Sequence, residues 1–180
     1  MVYIFLATGF EEIEALTPCD LLRRAGLEVA LVGVNGMEIV GSHGIRVRAD
    51  IPLDAVHVEQ AEMLVLPGGL RGVQSLLNCR AALEQVRRGW ETEKFVCAIC
   101  AAPTVLASLG IVGDREAVCY PGKEPEMGAA RIVDAPVVRS GRLITGRAAG
   151  ASVPFAMALI EALKGREEAE RIAKQIVYEG

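Results

Sequence analysis

A chain of 180 residues, 52% hydrophobic and 23% charged, is long enough to bury a sizeable core and too apolar to remain disordered. Its 19 basic and 23 acidic residues give a net charge of −4, which argues against a uniformly basic surface for nucleic acid or anionic lipid. Five cysteines in no regular framework suit reduced thiols in the cytoplasm, and two histidines leave little room for histidine-based catalysis or metal binding.

The hydrophobic period switches repeatedly between 2 and 3.6. Val2 to Ala7 is nearly all apolar and β-rich, as a strand buried on both faces requires, and Thr8-Gly9 breaks it. No positive leader precedes it and Glu11 and Glu12 follow at once, so the start does not read as a signal peptide. Residues 11–25 read as a helix with acids in its first turn, Arg23 and Arg24 in its last, and Gly26 beyond. Pro18 predicts a kink there. A strand over 28–34 leads to Asn35-Gly36, a hairpin-turn signal, then to a shorter strand over 38–40 and a less regular β-rich segment at 45–47.

Met63 to Leu66 is a short buried strand ending at Pro67-Gly68-Gly69. Residues 80–90 look helical, 95–99 form a strand, and 101–109 read as a helix stopped by Gly110. Strands are expected over 117–120 and 143–145. A helix over 152–164 carries its apolar stripe at Phe155, Leu159, Ala162 and Leu163, and a last helix over 166–178 repeats the pattern at Ala169, Ile172, Ala173 and Ile176. No apolar run approaches the ~18 residues of a membrane span. Strands alternating with helices predict one α/β domain over residues 1–180, a mostly parallel sheet covered on both faces. Ligands sit beyond the carboxyl ends of such strands, at the loops after Ala7 and Leu66 and at Ile99-Cys100.

Cys100 is the sharpest chemical feature. A buried strand runs into it and then directly into Ala101-Ala102-Pro103-Thr104, the strand–turn–helix logic of a nucleophile elbow. At a helix N-terminus its thiol pKa would fall, although a small buried hydrophobe is the commoner fate of cysteine. Cys97 and Cys100 also form a C-x-x-C. In an extended chain they would face opposite sides, ~10 Å apart and beyond the ~7 Å reach of a disulfide. No second pair completes a zinc site. Gly68-Gly69 allows N–H groups to point at a developing oxyanion, or is an ordinary strand-ending turn. Of Glu11, Glu12 and Glu14, at least two read as a solvated face complementing the helix dipole. Ile13 and Leu16 place the apolar stripe beside Glu14, which directs that carboxyl inward, where its pKa would rise and it would exchange protons with substrate. His43, in the loop Gly41-Ser42-His43-Gly44, and His57 read as neither ligands nor bases.

The stretches Gly9-Phe10-Glu11-Glu12-Ile13-Glu14, Arg23-Arg24-Ala25-Gly26, Val65-Leu66-Pro67-Gly68-Gly69, Ala98-Ile99-Cys100-Ala101-Ala102-Pro103 and the segment 143–156 form a pattern. On these, the chain resembles the ThiJ/PfpI superfamily, in the branch of the parkinsonism-associated deglycase and its bacterial relatives. The resemblance spans essentially the whole chain. It implies a flavodoxin-like three-layer sandwich with a nucleophile elbow like that of class I glutamine amidotransferases, assembled as a homodimer. Cys100 takes the elbow cysteine in a strained backbone conformation, and Glu14 the carboxylic acid on its sulfur. Gly69 and Ala101 supply backbone N–H groups of the oxyanion pocket, with Gly68 shaping the loop. The implied activity is a glyoxalase that turns methylglyoxal into lactate, or repair of glycated groups, without cofactor or metal. The partner is a small aldehyde or glycated substrate, with no membrane or nucleic acid. Relatives are also associated with cysteine oxidation, stress protection and chaperone-like behaviour, so a redox sensor acting through Cys100 is the alternative. A dithiol oxidoreductase using Cys97 and Cys100 is a third.

Two departures stand out. Tyr120-Pro121 occupies a position where several relatives place a histidine before proline, which removes support for a Cys-His-acid hydrolase. His43 stands where some relatives carry an arginine near the dimer-related site.

Overall fold

Apolar runs ended by glycine or proline become the strands of one central sheet. The computed structural model describes residues 1–179. In chain order the elements are β1 (Val2–Leu6), α1 (Glu12–Arg24), β2 (Val29–Gly33), β3 (Glu38–Val40), β4 (Arg46–Arg48), β5 (Ile51–Pro52), β6 (Met63–Leu66), α2 (Leu70–Leu77), α3 (Arg80–Glu91) and β7 (Phe95–Ile99). They continue with α4 (Pro103–Ser108), β8 (Glu116–Ala117), β9 (Arg131–Ile132), β10 (Val137–Ser140), β11 (Leu143–Gly146), α5 (Ser152–Lys164) and α6 (Arg166–Gln175).

The main sheet has the order β10-β11-β7-β6-β1-β2-β5. Only β10 runs antiparallel to its neighbour; every other pair is parallel. Successive side chains of a strand point to opposite faces, and here both faces are covered. On β1, Val2, Ile4 and Leu6 pack with α1, α5 and α6, while Tyr3 and Phe5 pack with α2, α3 and α4. That is why β1 is apolar at every position and reads without alternation. The result is a three-layer α/β sandwich.

Several expectations need correction. Asn35-Gly36 does not close a hairpin: both edges of β2 are taken, by β1 and β5, so β3 pairs with β4 in a separate ribbon that turns at 41–45. The strand expected over 117–120 shortens to Glu116–Ala117, because the next N–H groups leave the ladder for Thr145 and Cys100. α1 continues through Pro18, α4 begins only at Pro103, and α6 ends at Gln175. On α5, Phe155 and Leu159 are buried as expected, joined by Ala156 and Ile160, whereas Ala162 and Leu163 are half-buried.

Thr145 is a buried polar link between the sheet and the segment after β8. Its Oγ1 accepts the Val118 N–H at 2.9 Å, with both residues buried. Thr145→Val keeps the shape but orphans that N–H, and is expected to lower stability by roughly 1–3 kcal/mol in urea denaturation with the m-value unchanged.

Candidate active site

The site is assembled from three strand ends. β7 delivers Cys100 just past Ile99, and the chain turns there with φ 66°, a left-handed conformation unfavourable for any residue with a Cβ. The strain is held from both sides. The Cys100 N–H donates to the Gly146 carbonyl at 2.9 Å, and the Cys100 carbonyl accepts the Tyr120 N–H at 2.7 Å. These ties to the end of β11 and to the segment before Pro121 over-determine the elbow.

Glu14 reaches the same point from α1. It is fully buried, its Oε2 accepts the Gly68 N–H at 2.8 Å, and its Oε1 has no hydrogen-bond partner. Gly68 lies between Cys100 and Glu14: a Cβ there would stand 2.7 Å from both Cys100 Cβ and Glu14 Oε2. Gly69 has φ 87°, and a Cβ on it would run into the Gly9 carbonyl, so the position requires glycine. The N–H groups of Gly69 and Ala101 lie near enough to the Cys100 sulfur to favour its ionised form. The structure therefore brings together all five residues singled out in the sequence: Cys100, Glu14, Gly68, Gly69 and Ala101.

Their electrostatics differ from the expectation in one respect. Burial pushes the Glu14 carboxyl up to about 7, against the pull of the Cys100 hydrogen bond and the Gly68 N–H, with the Glu11 charge adding to the rise. The Cys100 thiol is not lowered. Burial, then the charge and hydrogen bond of Glu14, push it up to about 12, and the Gly69 and Ala101 N–H groups only partly offset this. The helix that was to favour a thiolate starts three residues later and spans only Pro103–Ser108, too short to outweigh a carboxylate beside the sulfur. Between about pH 7 and 12 the buried Glu14 and the half-buried Cys100 thus hold one proton between them.

All five cysteines are free. Cys97 is wholly buried, and burial raises its thiol far above the ordinary value. The elbow also turns Cys100 onto the core layer that holds Cys97, so the two do not face opposite sides as an extended chain would demand.

The acids at the head of α1 are not a solvated face. Glu12 is only 5% exposed. Its Oε1 accepts the His43 N–H at 2.8 Å and the Ile45 N–H at 3.3 Å, and its Oε2 lies 3.1 Å from Ser42 Oγ and from His43 Nδ1. Burial opposes its ionisation, but the backbone N–H groups of Glu12 and His43 and the His43 and Ser42 side chains outweigh that and hold it at about 2. His43 is raised in turn, first by its hydrogen bond to Glu12 and then by the charges of Glu11 and Glu12. The donor atoms of Glu11, Glu12 and His43 lie within 4.8 Å of one another, close enough for a metal ion, yet protein donors already satisfy the Glu12 oxygens. Glu12 therefore contributes stability that is present above about pH 4.5 and lost as pH falls toward 2. Thermal unfolding followed over that window is expected to show a steeper acid loss in the wild type than in Glu12→Gln.

The DJ-1/PfpI family profile matches residues 1–162. Protein dj-1beta of Drosophila melanogaster is 34% identical over 177 residues, covering 97% of this chain and 95% of the fly protein. The chain belongs to the DJ-1/PfpI family. Another member, the glutathione-independent glyoxalase DJR-1.2 of Caenorhabditis elegans, is 32% identical over 167 residues, 92% of this chain and 89% of the worm protein. Among solved structures, oxidized Toxoplasma gondii DJ-1 superposes with a TM-score of 0.95 at 32% identity, covering 99% of this chain and 98% of the other. Drosophila melanogaster DJ-1beta gives 0.94 at 33%, with the same coverage. Before Pro121 this chain presents Tyr120, 44% exposed. Among the described residues no helix is long and apolar enough to cross a membrane.

Proposed function

We propose that the protein is a cysteine-dependent, cofactor-independent glyoxalase-type enzyme acting on small dicarbonyls such as methylglyoxal. The observation that carries this is Glu14: a fully buried carboxyl with one unpartnered oxygen, set across Gly68 from an elbow cysteine. The similarity to a named glyoxalase supports it.

Glu14 takes the thiol proton as Cys100 Sγ bonds to the aldehyde carbon, so no free thiolate has to accumulate. The Gly69 and Ala101 N–H groups, which lie beside the sulfur, donate to the new oxyanion. Glu14 returns its proton to that oxygen, giving a hemithioacetal. It then removes the hydrogen from the former aldehyde carbon and delivers that proton to the ketone oxygen, giving an enediol. It next takes the hydroxyl proton from the former aldehyde carbon as the C=O forms there, and delivers it to the neighbouring carbon. The product is a thioester of lactate on Cys100, and water cleaves it to lactate and the free thiol. Methylglyoxal adducts of glycated groups enter the same path once they release the amine or thiol and the free aldehyde re-forms.

A homodimer forms part of this proposal: Ile13 and Ile45, 48% and 52% exposed, line an apolar hollow with Leu16 beside Glu11 and His43, a surface suited to a second copy. Free thiols suit a reducing cytoplasm.

The test is lactate formation from methylglyoxal. Wild type is expected to produce it and Cys100→Ser to produce none; equal yields would sink the mechanism. The alternative, a redox sensor, draws on the oxidized state in which the Toxoplasma gondii relative was solved. Selective sulfinate at Cys100 after mild peroxide, with negligible lactate formation, would favour it.

A further inference from the structure

The strand order of the main sheet reverses at β1, with β2 on one side and β6 on the other. The crevice beyond the carboxyl ends at such a reversal is where open α/β sheets take ligands. Here it contains a cavity of about 370 Å³, lined by Thr8, Gly9, Ser42, Arg71, Gln74 and Ser75 among others. Cys100 and Glu14 are not part of its wall. The Gly68-Gly69 loop stands between: Gly68 faces the thiol pair, and Gly69 packs on Gly9 and Phe10.

Arg71 gives this cavity its chemistry. Among the described residues it forms no ion pair, whereas Arg147, which lines the hollow beside Cys119, is paired with Asp134. Its root is fixed. Gly9 has φ 87°, and a Cβ there would collide with the Arg71 Cβ, so glycine lets the first turn of α2 dock on the loop. The Gly72 N–H seals the contact by donating to the Gly9 carbonyl at 3.0 Å. The facing wall is tied as well: Ser75 Oγ donates to the Thr8 carbonyl at 2.9 Å, and the Thr8 N–H donates to Asn35 Oδ1 at 3.0 Å. Glu11 and Glu12 open onto a different hollow, and Ser42, whose hydroxyl bonds both, separates them from this one.

We infer that this crevice binds a small organic acid anion, a carboxylate or a phosphomonoester. The Arg71 guanidinium takes two of its oxygens in a fork, and the Gln74 amide and Thr8 hydroxyl supply further donors. The inference is independent of the glyoxalase chemistry, because it concerns a cavity on the other side of the glycine loop.

The experiment titrates ¹⁵N-labelled Cys100→Ser protein with inorganic phosphate and, separately, with lactate, following the backbone amides of Gly9, Ser42 and Gln74. Using the Cys100→Ser chain keeps the outcome free of turnover and of the thiol site. At least one anion is expected to give saturable shifts at these amides, weakened roughly tenfold or more by Arg71→Gln and less by Arg71→Lys. Saturation by phosphate alone identifies a phosphoryl ligand, and saturation by lactate alone a carboxylate. No saturable shift up to about 50 mM of either anion, or equal affinity in Arg71→Gln, overturns the inference. Arg71 is exposed, so its replacement leaves the core intact.

Discussion

Glu14→Gln is expected to lower methylglyoxal turnover by roughly 10²–10⁴-fold, the usual contribution of a positioned acid–base group, while making the protein more stable at pH 8. The two effects have one origin. In the unfolded chain the carboxyl ionises near its ordinary 4.5, but in the fold it keeps its proton until about 7. Below pH 4.5 it is neutral in both states and favours neither. As pH rises from 4.5 to 7 the unfolded chain alone gains the charge, so stability falls across that window and stays lower by roughly 3 kcal/mol above it. Glutamine removes the ionisation, and its amide oxygen still accepts the Gly68 N–H. Melting curves of wild type and variant should converge at pH 4 and separate at pH 8, the variant melting higher. Coincident curves at pH 8 would show that Glu14 ionises as readily in the fold as in the unfolded chain.

The same pair shapes the pH dependence of the reaction. The productive state carries one proton between Cys100 and Glu14, and it forms as pH rises through about 7. Wild-type kcat/KM is expected to climb through that point with the slope of a single ionisation. Glu14→Gln should lack the rise, since no group remains to take the thiol proton.

How much of this was legible in the sequence varied with how local the cause is. β6 and β7 are read to the residue because an apolar run ended by Pro67-Gly68 or by the elbow needs no distant information. The inward turn of Glu14 is as expected, but not through Ile13 and Leu16: Ile13 is exposed, and the buried neighbours of Glu14 on α1 are Ala15 and Pro18. No element is expected from the sequence over α2, a short helix with Gly72 in its interior. A Cβ at Gly72 would stand 2.7 Å from Phe10 Cα, a close approach that only the folded chain reveals. The burial of Glu12 depends on N–H groups of His43 and Ile45, delivered by a ribbon whose pairing the Asn35-Gly36 signal misassigned. One hint was available: Gly41, where any Cβ would meet the Glu12 carboxylate, marks how closely that loop comes. The direction of the Cys100 shift was misjudged for the same reason. The helix end is next to it in sequence, but the burial that raises the thiol most, and the Glu14 carboxylate that adds to it, are set only by the folded chain.

Gly68→Ala is expected to reduce turnover by roughly 10²-fold or more by displacing Cys100 and Glu14 from their present spacing. The added methyl has nowhere to go. It would meet Cys100 Cβ and Glu14 Oε2 at 2.7 Å and the Ile99 carbonyl at 2.9 Å. Gly68 itself cannot retreat, because its N–H is committed to Glu14 and its carbonyl accepts the Glu11 N–H at 3.0 Å. Relief must come from widening the gap between sulfur and carboxyl, the separation on which proton transfer depends. The strained elbow makes this harder to absorb, since the Cys100 backbone is tied to both Gly146 and Tyr120. A stability loss of roughly 1–3 kcal/mol should accompany it, as overpacking of a tight site usually brings. Gly150→Ala is the matching control: it has open space around its Cβ direction, so activity and melting temperature should stay at wild-type values. If Gly68→Ala turned over methylglyoxal like the wild type, Cys100 and Glu14 would not need their present spacing, and the shared-proton mechanism would have to be abandoned.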